Sequence, residues 1–144
     1  MRIWKHEFSL DGLNAMSANT MVSCLDIQFT EAGDDYLVAS MPVSHKTVQP
    51  MRILHGGASV VLAETVGSVA SNLCIDDFST THVVGLDINA NHIRSVAEGG
   101  HVHAKVTPLH LGRTTHVWSI RIHDESDRLV CVSRLTMAVI TRDS

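Results

Sequence analysis

The sequence predicts an α+β fold in which a sheet of about six strands wraps around one long, apolar helix. Three observations support this fold class. The stretch Ala58–Cys74 is small or apolar nearly throughout and contains good helix formers. The second half of the chain holds four segments with the composition and alternation of strands. A short helix and two further strands precede the long helix.

Each element has its own local signal. Ser9 is a suitable N-cap for the first helix, and the apolar residues of that helix share one face: Leu10, Leu13 and Met16. The stretch Met21–Ser44 is predicted to form two strands around a turn at residues 32–35. A loop broken by Pro50 leads into the long helix. The last four strands are predicted at residues 81–93, 101–109, 114–124 and 128–140.

Composition limits the range of functions. A chain of 144 residues fits one domain, predicted over residues 1–144. The net charge of −4 argues against nucleic acid or an anionic membrane as a partner. The three cysteines have no metal or redox spacing and suit reduced thiols, so we expect a cytoplasmic protein. We expect no secretory signal and no membrane span, because the longest apolar run is short and contains Glu64.

Glu64 is the one formal charge within the long helix. A carboxylate in so apolar a segment is costly to bury unless it is paired, hydrogen-bonded or used in chemistry. The helix begins at Gly56 and Gly57, where unpaired N–H groups can polarise a carbonyl oxygen. Two plain alternatives stay open. The glycines could only form a tight turn, and Glu64 could be a structural residue with a distant partner.

The distance between Gly56 and Glu64 predicts a dimer. Eight residues separate them, which corresponds to about 12 Å along a helix axis. A glutamate side chain does not cover that span, so one helix cannot bring both groups to one carbonyl. Two antiparallel copies can, and they would also cover the remaining apolar surface of the helix. We therefore predict a two-fold homodimer with a site at its seam.

Several motifs resemble a known family. These are "QPMRILHGGASVVLAETVGS", "VVGLDINANHIRS", "PLHLGR" and the opening "WKHEFSLDGLNAMS". In them the chain resembles the hotdog-fold acyl-CoA thioesterases, from Ile3 to about Ile140. It is most similar to the branch that contains 1,4-dihydroxy-2-naphthoyl-CoA hydrolases and enterobactin-pathway proofreading thioesterases. Met51 and Arg52 differ from the branch, which carries an aromatic residue and a glycine at these positions, beside the acyl pocket.

The resemblance implies a fold, an assembly and a reaction. The fold is a long central helix wrapped by an antiparallel sheet, and two subunits form one continuous sheet in a dimer or a dimer of dimers. The reaction is hydrolysis of an aromatic acyl-CoA, such as 1,4-dihydroxy-2-naphthoyl-CoA in menaquinone biosynthesis. The substrate could also be carried by an acyl carrier protein. CoA is part of the substrate, so no separate cofactor is expected.

The resemblance also implies the site residues. Glu64 is the expected nucleophile or base, Gly56 supplies the amide at the helix start, and Gln49, His55 and Ser68 assist. Further residues are implied to bind CoA: Gly85, His92, Ile93, Arg94, Ser95, His110, Leu111, Gly112, Arg113, Thr114 and Thr115. Arg94 and Arg113 are suited to its phosphates.

Other functions remain as alternatives. A hydratase or dehydratase of the same fold would use an acid–base pair such as His55 and Glu64. A non-catalytic acyl-CoA sensor would bind the ester without releasing thiol. The ten histidines include His101 and His103 on one strand face, but no spacing defines a ligand set, so no metal is expected.

Overall fold

One long helix, α3 (Gly56–Leu73), lies against one face of a six-stranded antiparallel sheet. The computed structural model describes residues 1–142. Two short helices come first, α1 (Leu10–Met16) and α2 (Met21–Cys24). The strands are β1 (Gln28–Ala32), β2 (Leu37–Pro42), β3 (Thr81–His92), β4 (His101–Leu111), β5 (Thr115–Asp124) and β6 (Leu129–Thr141). The predicted α+β order is confirmed, with strand limits within two residues in the second half.

The sheet has the strand order β1-β2-β4-β5-β6-β3, and every neighbouring pair is antiparallel. Strand β3 is therefore an edge strand, and it pairs only with β6 within residues 1–142. A bulge between Gly85 and Asp87 interrupts that pairing. Val84 is 42% exposed and Leu86 is 63% exposed. A long edge with exposed apolar residues is a ready template for pairing with another strand.

The inward face of α3 packs tightly on the sheet. Leu62, Ala63, Val66 and Ala70 are fully buried, and each fully buried Leu or Val contributes about 1.5–3 kcal/mol. Gly67 lets the helix approach β6, because a β-carbon there would lie 2.5 Å from Cδ2 of Leu135. A small residue at this position is therefore what allows the close contact between α3 and β6.

The outward face of α3 is only partly covered. Val60, Val61 and Val69 are half-buried, and Glu64 is exposed. The prediction that the sheet alone cannot cover the helix is confirmed. The sequence led us to expect a Glu64 carboxylate that is surrounded by protein. Within one chain, its side chain instead faces solvent.

Met21–Cys24 forms a helical turn, where a strand was expected. The hydroxyl of Thr20 accepts a hydrogen bond from the Val22 amide at 3.2 Å, and Ser23 bonds back to Thr20 in a capping box. This local capping satisfies backbone groups that a strand would leave to a partner. The first strand therefore begins only at Gln28.

Candidate active site

His55 caps the start of α3. Its Nδ1 accepts a hydrogen bond from the Gly57 amide at 2.8 Å. An accepting Nδ1 carries no proton, so the Nε2–H of this ring is left as a donor. Gly57 is required beside this ring, because a β-carbon on Gly57 would lie 2.9 Å from Nδ1. The structure thus places His55, which was predicted to assist the reaction, as the N-cap of α3.

The amide of Gly56 is the free donor at this helix end. The amides of Ala58 and Ser59 donate to the His55 carbonyl, at 3.0 Å and 3.3 Å. The Gly56 N–H has no hydrogen-bond partner within residues 1–142. A free amide at the positive end of an 18-residue helix is suited to an oxygen that gains negative charge.

A cavity of about 320 Å³ opens at this helix start, and we call it the helix-start cavity. It brings together six of the predicted site residues: Gln49, Gly56, His92, Ile93, Arg94 and Ser95. The remaining lining residues are Ile53, Leu54, Ser59 and Val130. Residues from the loop before α3 and from the end of β3 thus meet around one amide.

His92 lies directly over Gly56. A β-carbon on Gly56 would be 2.8 Å from Nε2 of His92 and 3.0 Å from its Cε1. Only glycine leaves space for the imidazole here. The sequence suggested that the glycines admit a ligand, whereas the structure shows that each also admits a histidine ring.

Gln49 lines the same cavity. Its side-chain oxygen accepts a hydrogen bond from the Met51 amide. The oxygen is thereby occupied, and the NH₂ group of the amide remains available. The helix-start cavity therefore offers the Gly56 N–H and the Gln49 NH₂ as donors.

Glu64 lies in a second depression of about 420 Å³, which we call the Glu64 groove. Ser68, one helical turn further on, lines it too, as the predicted pairing of these residues requires. The other lining residues are Met21, Val22, Val60, Val61, Thr65 and Val69. The walls beside the carboxylate are therefore largely apolar.

Gly85 of β3 borders the Glu64 carboxylate. A β-carbon on Gly85 would lie 3.0 Å from Oε2 of Glu64. The absence of a side chain at Gly85 therefore gives this carboxylate its space. Gly85 was predicted as a CoA contact, and the structure places it beside the predicted catalytic acid.

The two depressions are separate within one chain. No residue among 1–142 lines both the helix-start cavity and the Glu64 groove. They occupy successive parts of α3, as the axial distance of about 12 Å between Gly56 and Glu64 predicts.

The predicted CoA residues also divide between the ends of the sheet. His92 is paired with Cys131 on β6, whereas Gly85 is paired with Met137. The β4–β5 hairpin that holds residues 110–115 lies at the Gly85 end, since His116 is paired with Met137 as well. One chain therefore does not bring residues 110–115 together with residues 92–95.

Sequence reasoning missed most of the apolar walls. Met21 and Val22 line the Glu64 groove from helix α2, a segment that was expected to be a strand. A further cavity of about 670 Å³ lies beside the groove and shares Val69 with it. Its apolar lining residues are Phe8, Leu13, Met16, Val69, Leu73 and Phe78. The sequence predicted that the apolar residues of α1 share one face, but only long-range packing shows which cavity that face lines.

Nucleophilic chemistry by Cys74 or Cys131 is disfavoured. Burial raises the pKa of Cys74 to about 12, and nearby Lys5 only partly opposes this. Burial also raises the pKa of Cys131. Both thiols are therefore protonated near neutral pH, and thiolate is the reactive form.

One group of described residues has the composition of a metal site. The candidate ligand atoms of His103, His123 and Asp127 lie within 4.8 Å of one another. Lys105 and Arg121 line the same depression, and their charges oppose the binding of a cation. The expectation of no metal, like that of no cofactor, stays a prediction.

The chain is similar to proteins of known family. The model of the thioesterase superfamily matches residues 51–131. A 1,4-dihydroxy-2-naphthoyl-CoA hydrolase of Escherichia coli is 54% identical, over 96% of this chain and 99% of the relative. A proofreading thioesterase EntH of Cronobacter turicensis is 49% identical, over 96% of this chain and 98% of the relative.

A solved structure agrees with these relatives. The crystal structure of a thioesterase from Haemophilus influenzae matches with a TM-score of 0.92 and 50% identity, and covers 96% of this chain and 95% of its own. The predicted hotdog fold and the predicted class of thioester hydrolase are confirmed. No helix among the described residues is long and apolar enough for a membrane crossing. The chain belongs to the thioesterase superfamily.

Proposed function

We propose that this protein hydrolyses an aromatic acyl-CoA thioester, such as 1,4-dihydroxy-2-naphthoyl-CoA, to the free acid and CoA. The observation that carries the proposal is the pairing of an unpartnered Gly56 amide with an exposed Glu64 carboxylate on one helix, in separate depressions. A donor for an oxyanion and an acid for nucleophilic or base chemistry are the two parts that thioester cleavage needs. The relative named as a 1,4-dihydroxy-2-naphthoyl-CoA hydrolase supports this acyl group and a place in menaquinone synthesis.

The complete site forms between two copies of the chain. The exposed edge of β3 is available for antiparallel pairing with its own copy. Such pairing places the Gly85 end of one strand beside the His92 end of the other. The Glu64 groove of one subunit then faces the helix-start cavity of the partner subunit. The assembly is a dimer or a dimer of dimers.

Within that site, the thioester carbonyl oxygen accepts hydrogen bonds from the Gly56 amide and the Gln49 NH₂. Glu64 of the partner subunit follows one of two routes. In the first, its carboxylate attacks the carbonyl carbon, the C–S bond breaks, CoA leaves as a thiolate that takes up a proton, and water hydrolyses the mixed anhydride. In the second, Glu64 removes a proton from the water that attacks the carbonyl carbon, the C–S bond breaks, and CoA leaves as a thiolate that takes up a proton. His55 and Ser68 orient the water or the leaving sulfur.

CoA binding uses residues from both ends of the sheet. Arg94 in the helix-start cavity and Arg113 in the β4–β5 hairpin supply positive charge for its phosphates. His92, Ile93 and Ser95 accompany Arg94, and the rest of residues 110–115 accompany Arg113. The separation of these sets within one chain supports a CoA that crosses the seam.

The acyl group has an apolar route away from the carboxylate. The Glu64 groove continues past Val69 to the cavity beside α1, where Phe8, Met16 and Phe78 contribute large apolar side chains. An aromatic acyl group of two fused rings fits a cavity of about 670 Å³.

Carrier-protein substrates are the second candidate. The similarity to a proofreading thioesterase EntH supports them. The same bond is cleaved in an acyl-CoA and in an acyl carrier protein. The ratio of kcat/KM for the two substrates therefore shows which one the enzyme prefers. A panel of aromatic and aliphatic acyl-CoAs, with an aromatic acyl group on a carrier protein, ranks them directly.

The cytoplasm is the proposed location. Cys24, Cys74 and Cys131 are all free thiols, and free thiols fit a reducing compartment.

Replacement of Glu64 tests the reaction. Glu64→Gln keeps the shape of the side chain but removes its charge, and we expect turnover to fall by about 10³-fold or more. Thiol release from the acyl-CoA, followed with a colorimetric reagent, measures it. Glu125→Gln, in the β5–β6 turn, is the matched control and should keep parental activity. A Glu64→Gln protein that cleaves at the parental rate would overturn the assignment.

Two further readouts separate the alternatives. In single-turnover cleavage in ¹⁸O-water, label that enters Glu64 identifies attack by the carboxylate, because a base puts label only into the product. A change in enoyl-CoA absorbance without thiol release would identify a hydratase, and tight binding without any reaction would identify a sensor.

A further inference from the structure

The segment before α3 that carries Gln49 is a miniature hairpin. The Gln49 amide donates to the Ile53 carbonyl at 2.9 Å, and the Arg52 amide donates to the Gln49 carbonyl at 2.8 Å. Val48 and Leu54 form an antiparallel bridge beneath it. Pro50 occupies the position of the turn where its fixed φ is favourable. Three residues, Pro50 to Arg52, therefore form the hairpin loop.

Arg52 occupies a strained position in this loop. Its φ of 62° lies in the left-handed region. Hairpin loops of this length normally place glycine at that position, because a β-carbon is unfavourable there. A residue that accepts this strain needs a compensating interaction from its side chain.

The side chain of Arg52 makes a two-pronged ion pair with Glu98. Its Nε donates to Glu98 Oε2 at 2.7 Å, and its terminal nitrogen donates to Glu98 Oε1 at 2.6 Å. The backbone continues the link, since the Glu98 amide donates to the Arg52 carbonyl at 3.1 Å. The hydrogen bond from Arg52 lowers the pKa of Glu98. Bidentate pairing fixes direction as well as distance.

This ion pair joins the two segments that wall the helix-start cavity. One segment contains Gln49, and the other runs from Arg94 and Ser95 through Glu98. Ile53 bridges to Ala97, and the Leu54 amide donates to the Val96 carbonyl at 2.8 Å. Arg52 itself does not line the cavity. Any effect of Arg52 on the reaction therefore passes through one of these two segments.

We propose that Arg52, clamped by Glu98, is a positioning residue that holds the hairpin so that the Gln49 NH₂ faces the helix-start cavity. The proposal rests on the proposed function in one respect, the use of Gln49 as a donor to the thioester oxygen. Loss of the clamp removes no group that is proposed to act on the substrate, but it lets the Gln49 donor move. Small displacements of such groups lower the reaction rate strongly.

Three single substitutions test the clamp. Arg52→Ala removes the ion pair and keeps the backbone strain, Arg52→Gly removes both, and Glu98→Gln breaks the pair from the other side without touching the hairpin. For all three we expect kcat to fall by between about tenfold and a hundredfold, with a smaller change in KM and a thermal midpoint close to the parent. Lys46→Ala is the matched control, because Lys46 is an exposed cation of the same segment that pairs with Asp26 at 3.3 Å.

A double-mutant cycle shows whether Arg52 acts through Gln49. In a Gln49→Ala background, Arg52→Ala should have no further effect on kcat, whereas independent residues would give multiplied losses. Multiplied losses would overturn the proposal, as would parental rates in Arg52→Gly or in Glu98→Gln. These outcomes are distinct from failure of the proposed function, which appears as parental activity in Glu64→Gln whatever the clamp variants do.

Discussion

The helix-start cavity and the Glu64 groove are built from the same helix but offer opposite chemistry. The first presents a free Gly56 amide, the Gln49 NH₂ and the cation of Arg94. The second presents one carboxylate between largely apolar walls. Each therefore lacks what the other supplies. Under the proposed function, a single chain holds two half-sites, and α3 keeps them too far apart to serve one carbonyl.

Glycine has a different role in each region. Gly56 gives space to the imidazole of His92, whereas Gly85 gives space to the carboxylate of Glu64. In both regions a missing β-carbon sets the position of a predicted functional group. Substitutions at these glycines therefore test the comparison without removal of any charged group.

Among the glycine substitutions, the largest effect is expected at the helix start. Gly56→Ala should lower kcat by about a hundredfold, because the new methyl group displaces His92 and obstructs the approach of an oxygen to the free amide. Steady-state rates of thiol release measure this. Gly57→Ala is the matched comparison, since the Gly57 amide is already bonded to His55, and we expect a smaller loss there. Equal losses would assign the effect to histidine packing rather than to the free amide.

A smaller effect is expected at the groove. Gly85→Ala should lower kcat by about tenfold, because its β-carbon crowds a flexible carboxylate that moves by a few tenths of an ångström. The exposed strand position should keep the thermal midpoint unchanged. Thr81→Ala on the same strand serves as the control. Parental kinetics in Gly85→Ala would show that the position of the Glu64 carboxylate is not critical.

The smallest effect is expected on stability rather than on kcat. It comes from the core that lies beneath α3, away from both depressions. Buried His116 bonds to the Ser71 hydroxyl at 3.1 Å, and burial lowers its pKa below the ordinary 6.5, with His110 adding to the shift. A lowered pKa means that folding favours the neutral ring. The contribution of neutral His116 to the free energy of unfolding is therefore fully present above pH 6.5. It is lost as the pH falls from there through the lowered pKa.

Denaturant unfolding at several pH values measures that loss. The parent should lose more unfolding free energy below pH 6.5 than His116→Asn does. Identical pH profiles for the two proteins would remove His116 as the source. The comparison also separates the effect of low pH on stability from the effect of low pH on the groups that line the two depressions.

Local signals predicted much of this molecule. The cap at Ser9, the alternation of strands β3–β6 and the length of α3 all depend on neighbouring residues. The spacing of Gly56 and Glu64 is fixed by helix geometry, and so their separation was predictable. The helical turn at Met21 was missed because the cap at Thr20 outweighs a β-rich composition.

Contacts between distant segments were not predictable. The ring of His92 over Gly56, the side of Gly85 that faces Glu64 and the pair of Arg52 with Glu98 all join residues that are far apart in sequence. Strand register and loop closure determine them, and a single sequence encodes these only indirectly. The resemblance to thioesterases named six residues that the structure brings together at the helix start, but it gave no reason for Arg52.

The most direct test of the shared site is complementation between two strongly impaired variants. Glu64→Gln and Gln49→Ala are each prepared alone, then unfolded together and refolded in equal amounts. Random mixing makes half of the dimers mixed, with one of their two sites intact, so about a quarter of parental activity should return. Activity no higher than the average of the two variants, with mixed dimers demonstrated by mass spectrometry, would contradict a site formed by two subunits.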